Sequence, residues 1–504
     1  MLLQKLALLK LTALMDKYSP SSKQGWNWAV PKLLRKTKLM EVKGRRVFGV
    51  PLLVSLQQTG EPLPPSILRA LIHLRAKCLD QVGLFRKSGV KSRIQYLRDL
   101  VESDPGGVSY EGHSAFDIAD MVKQYFRDLP EPIFTSKLCE TFLHIYQYFP
   151  KDQQLLAAQA AILLLPDENR EALRALLFFL RDVVACVDEN QMTPTNIAVC
   201  LAPSLFHLNT LKKDAKSPSR SSHRKYSLGR PDQKDLSENL AATQGLADMI
   251  TEAQRLFQLP EFWPGPNLSS ANLPEDPASE GPESMDQRQD QEEEQEQRRR
   301  KLQLSTQHLL MEAREKSRGW EGHPAPENSR SGLQEDGRQL PTVDVARFCG
   351  GGGHRVRAAP PPPEAAGAVA KKLASGHYCQ TLTKDTEVFR YLLQDQGQGL
   401  GARPPQEHLL LRTWQADPTC GPLYLSSVST EHPEVLAEGV RAHVHSCLYV
   451  LEPTGTRKTR LTHICRTDTR GRSQEWHIRV SGHLLASDLL AIRDSFRSNH
   501  RGTS

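Results

Sequence analysis

The spacing of apolar residues divides the chain into a helical part and a strand-rich part. Between residues 47 and 259, apolar side chains recur with a period of about 3.6 residues, which predicts helices. Ile118, Val122 and Phe126 share one face of one such helix. The segment Glu171–Val187 is apolar nearly all round, which is typical of a helix at the centre of a core. We therefore predict an all-α domain over 47–259.

The period changes to two in the C-terminal part of the chain. From Val440 to Val450 small or apolar residues alternate with other residues, as in a half-buried antiparallel strand. The chain closes with an amphipathic helix whose apolar stripe begins at Trp476. Strands followed by a long terminal helix indicate a sheet wrapped around a helix. We predict a second, α+β domain over 303–500, atypical at 326–375 because that stretch is largely Gly- and Pro-rich.

Two segments show neither pattern. Residues 260–302 are rich in proline and then in glutamate and arginine, and we predict a polar linker. Residues 1–46 form a basic leader in which Trp26 and Trp28 stand among lysines and arginines. Such tryptophans suit either packing onto the following domain or contact with an anionic membrane surface. The candidate residues for lipid contact are Lys32, Arg35, Lys36 and Lys38.

Composition and charge narrow the class of protein. The net charge of +7 over 504 residues is a mild excess and does not favour a nucleic-acid partner. The nine cysteines include no CxxC pair, so neither a disulfide framework nor a zinc site is indicated. Lys5 and Lys10 interrupt the apolar N-terminus, which reads as a helix rather than a signal peptide. We expect a cytoplasmic protein that is peripheral at membranes where its leader binds.

A glycine-flanked segment and a nearby helix carry the candidate chemistry. GLFRKSG at 83–89 places Arg86 between two glycines, which allow a loop to project a side chain. Lys123 and Arg127 are four residues apart, on the helix face opposite the apolar stripe. Three cations near one surface suit recognition of phosphate or carboxylate, but structural salt bridges explain most sets with such spacing.

The motifs of common enzyme classes do not occur in the sequence. It has no GxxxxGK[ST] phosphate loop, no HExxH, no GxSxG and no kinase set. His443 and His445 share a strand face, but no third ligand follows at a recognised spacing, so we predict no metal site.

Four segments in order resemble the Rho GTPase-activating domain: VFGVPL at 47–52, GLFRKSGVKSRI at 83–94, DMVKQYFRDLPEPIF at 120–134 and MTPTNIAVCLAPSLF at 192–206. The leader and the C-terminal block are similar to those of the deleted-in-liver-cancer group. Members of this group are Rho GAPs with a C-terminal StAR-related lipid-transfer (START) domain. The resemblance implies an all-α Rho GAP helical domain followed by an α+β helix-grip domain.

The resemblance also implies roles for individual residues. Arg86 matches the arginine finger, which stimulates GTP hydrolysis in trans within the GTPase. Lys123 and Arg127 match helix residues that hold the finger loop and contact the GTPase, and Asn196 and Pro203 match residues of the contact surface. The chain would be a GTPase activator rather than a stand-alone enzyme. It would need no cofactor, because GTP and Mg²⁺ belong to the partner. The group implies RhoA as the first partner and Cdc42 as a weaker one.

The sequence departs from the group's pattern at several places. Ser204 stands where many Rho GAPs have asparagine, although the liver-cancer group shares the serine. In the C-terminal block an acidic stretch expected before the TLTKDTEVF strand is missing, and Gln406-Glu407 replaces an expected Arg-Asp pair. A lipid ligand and a structural or regulatory role therefore both stay open for this block. The alternative function is a lipid-binding or transfer protein whose helical domain only docks a GTPase.

Other members of the group also carry an N-terminal SAM domain and a serine-rich region. The sequence shows neither of these, so we do not expect targeting to focal adhesions through them.

Overall fold

The structure is a computed structural model of the 504-residue chain. It describes residues 2–20, 46–208, 233–258, 285–314, 321–323, 329–333, 339–346, 373–393, 405–417, 419, 421–432, 435–455, 458–468 and 476–498. These residues form two compact units, the first within Met1–Ser270 and the second from Ala271 onward.

Every regular element described in the first unit is a helix, which confirms the predicted all-α class. The helices are α1 Leu2–Tyr18, α2 Leu52–Thr59, α3 Pro65–Lys77, α4 Lys91–Ser103, α5 Ala115–Asp128, α6 Thr135–Tyr148, α7 Lys151–Leu164, α8 Asp167–Ala185, α9 Val187–Asn190, α10 Pro194–Leu205, α11 Gln233–Thr251 and α12 Ala253–Leu256.

Helix α8 lies in the core of this unit, as its apolar sequence predicts. Pro166 precedes its first turn, and Asp167 and Glu168 complement the positive end of the helix dipole. Leu173, Leu177 and many of its other apolar side chains are fully buried in one cluster with residues of the surrounding helices. On α5 the predicted apolar face is buried in the same cluster, so the opposite face is left for other contacts.

The first part of the basic leader forms a helix that belongs to the helical unit. Helix α1 packs on α7, and Ala7, Leu11 and Met15 are fully buried in the core of the helical unit. These side chains are four residues apart and form one stripe, which a count of the lysines at 5, 10 and 17 does not reveal. Trp26, Trp28 and the candidate lipid contacts Lys32, Arg35, Lys36 and Lys38 lie outside the described residues.

The second unit contains a sheet and two long helices. Its elements are α13 Met285–Arg314, β1 Glu321–His323, β2 Ser329–Leu333, β3 Gln339–Ala346, β4 Leu373–Thr383, β5 Thr386–Leu393, β6 Gln406–Gln415, β7 Leu423–Ser429, β8 Val440–Arg441, β9 His443–Gly455, β10 Lys458–Asp468, a π-helical turn His477–Ser481, and α14 Gly482–Ser498.

Helix α13 crosses the predicted boundary between linker and second domain. The predicted boundary lies at 302/303, but the helix is continuous from Met285 to Arg314. Leu302 is buried against Leu409 and Leu411 of β6, and Leu309 is buried against other strands. The end of the predicted linker is therefore part of the second unit, because one apolar stripe continues through it.

The sheet has the order β1-β2-β3-β10-β9-β7-β6-β5-β4, with β8 pairing alongside β6. Helix α13 covers one face, and α14 packs through Leu489 on Leu461 at the other face.

The predicted alternation holds from Ala442 to Val450, where every second residue is buried. Val440 belongs to β8, which runs parallel to β6, so the predicted single strand is divided. Strands β2 and β3 continue the sheet through the atypical stretch.

Candidate functional site

A loop between α3 and α4 presents Arg86 to solvent. We call residues 83–90 the Arg86 loop. Leu84 and Phe85 are buried, and the ring of Phe85 lies edge-on to that of Phe179, with 5.9 Å between the centroids. Arg86, Lys87 and Ser88 are exposed. The loop therefore places three polar residues at the surface, directly after an aromatic anchor in the core.

Backbone contacts fix the first half of the loop. The Gly83 N–H donates to the carbonyl of Asn190 (2.8 Å), and the Arg86 and Lys87 N–H groups both donate to the Gly83 carbonyl (2.9 Å each). Gly83 has φ +80° and Phe85 has φ +70°. The glycine adopts this left-handed conformation at little cost, whereas an aromatic residue does so only when its surroundings hold it there.

Lys123 on α5 holds the Phe85 end of the loop. Its ammonium donates to the Phe85 carbonyl (2.9 Å) and lies 2.5 Å from Asp120 Oδ1. Only 14% of the Lys123 side chain is exposed. The structure thus uses this predicted site residue mainly to hold the peptide unit that precedes Arg86.

Two aspartates on α5 hold the other end of the loop. The Gly89 N–H donates to Asp120 Oδ2 (2.8 Å), and the Val90 N–H donates to Asp117 Oδ1 (2.8 Å). A Cβ on Gly89 would lie 2.5 Å from Asp117 Oδ1 and 2.8 Å from its Cα, so only glycine allows this approach. Sequence reasoning missed both aspartates, because an acidic residue in the early turns of a helix is common for reasons of the dipole alone.

Arg127 connects α5 to α10. Its guanidinium donates to the hydroxyl of Ser204 (3.2 Å), and the rest of the side chain is largely exposed. Ser204 is buried. The residue that departs from the wider family pattern therefore still supplies a hydrogen-bond acceptor to Arg127.

Helix α10 carries Asn196 and Pro203. The Thr193 hydroxyl caps the helix by accepting from the Asn196 N–H (3.2 Å), and the Asn196 side chain donates to the Gln191 carbonyl (3.3 Å). Asn196 and Pro203 are both partly exposed. They are seven residues apart, about two helical turns, so they lie on the same side of α10.

Cys200 lies near enough to Lys123 and Arg86 for their charges to act on its thiol. Burial raises the pKa of the Cys200 thiol, and the positive charges of Lys123 and Arg86 act against that increase. Cys200 lies on α10 between Asn196 and Pro203. The structure therefore brings Arg86, Lys123 and α10 together, with Arg127 joined to the same helix through Ser204.

This surface has the chemistry of a cationic recognition site rather than of an enzyme pocket. Its exposed charges are guanidinium and ammonium groups, which suit phosphate and carboxylate partners. Among the described residues, no group of three His, Cys, Asp or Glu side chains is placed to hold a metal ion. In the same part of the chain, no helix has the length and apolar character needed to cross a membrane.

The second unit contains buried polar groups on the sheet face that α14 covers. The ring of buried His408 stacks on Tyr391, with 4.5 Å between the centroids, and neither of its nitrogens has a hydrogen-bond partner among the described residues. The ring of His463 stacks on Tyr449 at 3.9 Å. Burial lowers the pKa of His408 to about 4 and that of His463 to about 3. Both imidazoles are therefore neutral at physiological pH.

The replaced Gln406-Glu407 pair contributes a buried ionic cluster. Glu407 has no exposed surface, and its carboxylate accepts from Arg390 Nε (2.6 Å) and lies 3.4 Å from Arg441 Nε. Arg390 also pairs with Glu438 (3.1 Å). The departure from the group's pattern therefore leaves the buried Glu407 carboxylate paired with two arginines.

Comparison with known proteins finds two domain families in the chain. The model of the RhoGAP domain matches residues 64–210, which contain the Arg86 loop, α5 and α10. The model of the START domain matches residues 370–503. Together they confirm the predicted fold class, a helical Rho GAP domain followed by an α+β START domain.

Curated relatives share both parts. The chain is 48% identical over 511 residues to StAR-related lipid transfer protein 13 of Mus musculus, covering 98% of this chain and 44% of that protein. It is 47% identical over 508 residues to Rho GTPase-activating protein 7 of Mus musculus (99% and 45%) and 45% identical over 502 residues to StAR-related lipid transfer protein 8 of Homo sapiens (98% and 48%). The chain spans about half the length of these relatives.

Proposed function

Because the chain carries a RhoGAP domain followed by a START domain, we propose that it activates GTP hydrolysis by Rho-family small GTPases and so down-regulates Rho signalling to the actin cytoskeleton. The name of one relative, Rho GTPase-activating protein 7, supports this assignment. The observation that carries it is the exposed guanidinium of Arg86 on a loop whose flanking residues are fixed to the core and to α5.

Arg86 supplies the catalytic group in trans. Its guanidinium enters the nucleotide site of the GTPase and neutralises charge that develops on the phosphate oxygens in the transition state. The planar guanidinium can donate two parallel hydrogen bonds, which a lysine ammonium cannot do. Lys123 holds the loop through the Phe85 carbonyl, while Arg127, Asn196 and Pro203 form the adjoining contact surface.

The proposed activator needs no cofactor of its own, because the GTPase holds the GTP, the Mg²⁺ and the attacking water. Stimulated hydrolysis across a panel of Rho, Rac and Cdc42 GTPases tests the proposal. We expect the largest stimulation with RhoA and a weaker one with Cdc42. A chain that leaves the hydrolysis rate of every GTPase in the panel unchanged would contradict the proposed function.

Lipid binding by the second unit is the second candidate function. Neither nitrogen of the buried His408 ring has a hydrogen-bond partner in the described part of the chain. This supports lipid binding, because a hydrogen bond from a ligand atom would offset the cost of burying these nitrogens. Mass spectrometry of the purified chain under native conditions tests it, since a bound lipid would add a discrete mass. If the mass of the chain did not change after exposure to mixed lipid vesicles, lipid binding would be contradicted. The second unit would then have a structural or regulatory role.

The basic leader supports a further proposal, a cytoplasmic protein peripheral at anionic membranes. Neutralising Lys32, Arg35, Lys36 and Lys38 should weaken binding to phosphatidylserine vesicles at least a hundredfold, since each cation near such a surface contributes about 1 kcal/mol. Sedimentation with vesicles at two salt concentrations measures this, because screening weakens the same attraction. Neutralising Lys212, Lys213, Lys216 and Arg220 removes the same charge elsewhere and is the control. The proposal would be contradicted if the affinity for vesicles stayed the same after the leader residues were neutralised and at both salt concentrations.

A further inference from the structure

One carboxylate on α5 is linked to both ends of the Arg86 loop. Asp120 Oδ2 accepts the Gly89 N–H at 2.8 Å. Asp120 Oδ1 lies 2.5 Å from the Lys123 ammonium, which donates to the Phe85 carbonyl at 2.9 Å. The exposed segment that contains Arg86 therefore lies between two backbone groups that share the same anchor.

The segment has few other restraints. Between Phe85 and Gly89 the backbone–backbone hydrogen bonds that the described structure contains are those of Arg86 and Lys87 to the Gly83 carbonyl. Phe85 is held at φ +70°, a conformation that costs a residue with a Cβ about 1–2 kcal/mol. The hydrogen bond from Lys123 to the Phe85 carbonyl keeps this peptide from relaxing. Weakening this bond would therefore change the direction in which the Arg86 side chain points.

Lys123 depends on Asp120 to keep this position. Only 14% of the lysine side chain and 13% of the aspartate side chain are exposed. A largely buried ammonium without a counter-charge is costly, so the side chain would turn toward water. Removing the Asp120 carboxylate would therefore free the Gly89 N–H directly and weaken the tie to Phe85 indirectly.

Asp117 has a different task. Val90 is the N-cap residue of α4 and has no side-chain cap of its own. Asp117 accepts the Val90 N–H and lies 2.5 Å from Arg93 Nε in the first turn of α4. It thus caps α4 from a neighbouring helix, and its loss would act mainly on the stability of that helix.

We propose that Asp120 is a positioning residue for Arg86, because it fixes both ends of the loop that presents the guanidinium to a partner's phosphates. The inference rests on the proposed function of Arg86. Asp120 lies beneath the surface, so its loss leaves the docking surface in place and moves the catalytic group. A displacement of about 1 Å is enough to cost about 10² in rate.

The test is single-turnover GTP hydrolysis by RhoA with increasing amounts of the full chain. Asp120→Ala should lower the maximal stimulated rate about 10- to 100-fold and change the half-saturating concentration less than about threefold. Asp120→Asn keeps an acceptor for the Gly89 N–H and should lose less. Asp128→Ala is the matched control, since Asp128 is also on α5 and pairs with Arg98 (2.7 Å), and it should keep the parent rate.

Two further readouts separate positioning from a general loss of structure. Hydrogen exchange at the Gly89 amide should accelerate at least tenfold in Asp120→Ala while amides in α8 stay protected. On an Arg86→Ala background, Asp120→Ala should cause no additional loss of rate, because it acts through that arginine.

The outcomes distinguish this inference from the proposed function. If the unmodified chain stimulates RhoA and Arg86→Ala does not, but Asp120→Ala equals the parent, the inference alone is overturned. The same follows if Asp120→Ala lowers the rate equally with and without Arg86, or lowers only thermal stability. If the unmodified chain stimulates no GTPase, both the proposed function and the inference fail.

Discussion

Replacing Arg86 with alanine should remove nearly all stimulation of GTP hydrolysis while leaving GTPase binding largely intact. A guanidinium supplied in trans contributes about 10³–10⁵ in rate, or roughly 4–7 kcal/mol of transition-state stabilisation. That contribution is made only when charge develops on the phosphates, so the ground-state complex loses little. Because the side chain is exposed and its neighbours Leu84 and Phe85 supply the packing, the fold should not change.

A phosphate-release assay with RhoA measures the rate, and binding to the GTPase loaded with a non-hydrolysable GTP analogue measures affinity. Arg86→Lys retains the charge but loses the planar donor geometry, so it should recover only a small part of the rate. Lys87→Ala removes one cation from the same loop and should lower the rate less than tenfold. Stimulation by Arg86→Ala at the level of the parent chain would refute the assignment of Arg86.

The sequence predicts those parts of the site that depend on local rules. Glycines at 83 and 89 mark a loop, and the positions of Lys123 and Arg127 on a helix follow from period and apolar stripe. The anchoring carboxylates do not follow from local rules. Asp120 and Asp117 become identifiable only when the fold brings Gly89 and Val90 against α5, which is a contact over about thirty residues.

Charged residues conceal the packing of two helices, α1 and α13, in the sequence. Lysines dominate the composition of the leader, yet Leu11 and Met15 form the buried stripe of α1. Glutamates and arginines dominate the end of the predicted linker, yet Leu302 is buried in the second unit. On a surface helix the charged face dominates composition, while a few well-spaced apolar side chains decide what the helix packs on.

The second unit should lose stability when the pH falls from 7 to 5. Burial lowers the pKa of His408 to about 4 and that of His463 to about 3, below the ordinary value of 6.5. In that pH range the two histidines bind protons in the unfolded chain but not in the folded chain. The free energy of unfolding therefore decreases as the pH falls. The stabilisation is fully present above about pH 6.5 and is lost progressively toward the folded-state pKa values. Each histidine accounts for about 2 kcal/mol over this range.

Hydrogen exchange of amides in β6 and β10 measures the stability of the second unit by itself. The observed rates are divided by the intrinsic exchange rates at each pH, which gives the free energy of opening. We expect the opening free energy to fall by about 4 kcal/mol between pH 7 and pH 5, or nearly 10³-fold in the open population. The double variant H408L/H463L replaces both imidazoles by side chains that cannot take up a proton. It should show a much smaller fall over the same range, whatever its stability at pH 7. An equal fall in parent and double variant would mean that other groups carry the pH dependence, and the buried imidazoles would then have no part in the acid sensitivity of this unit.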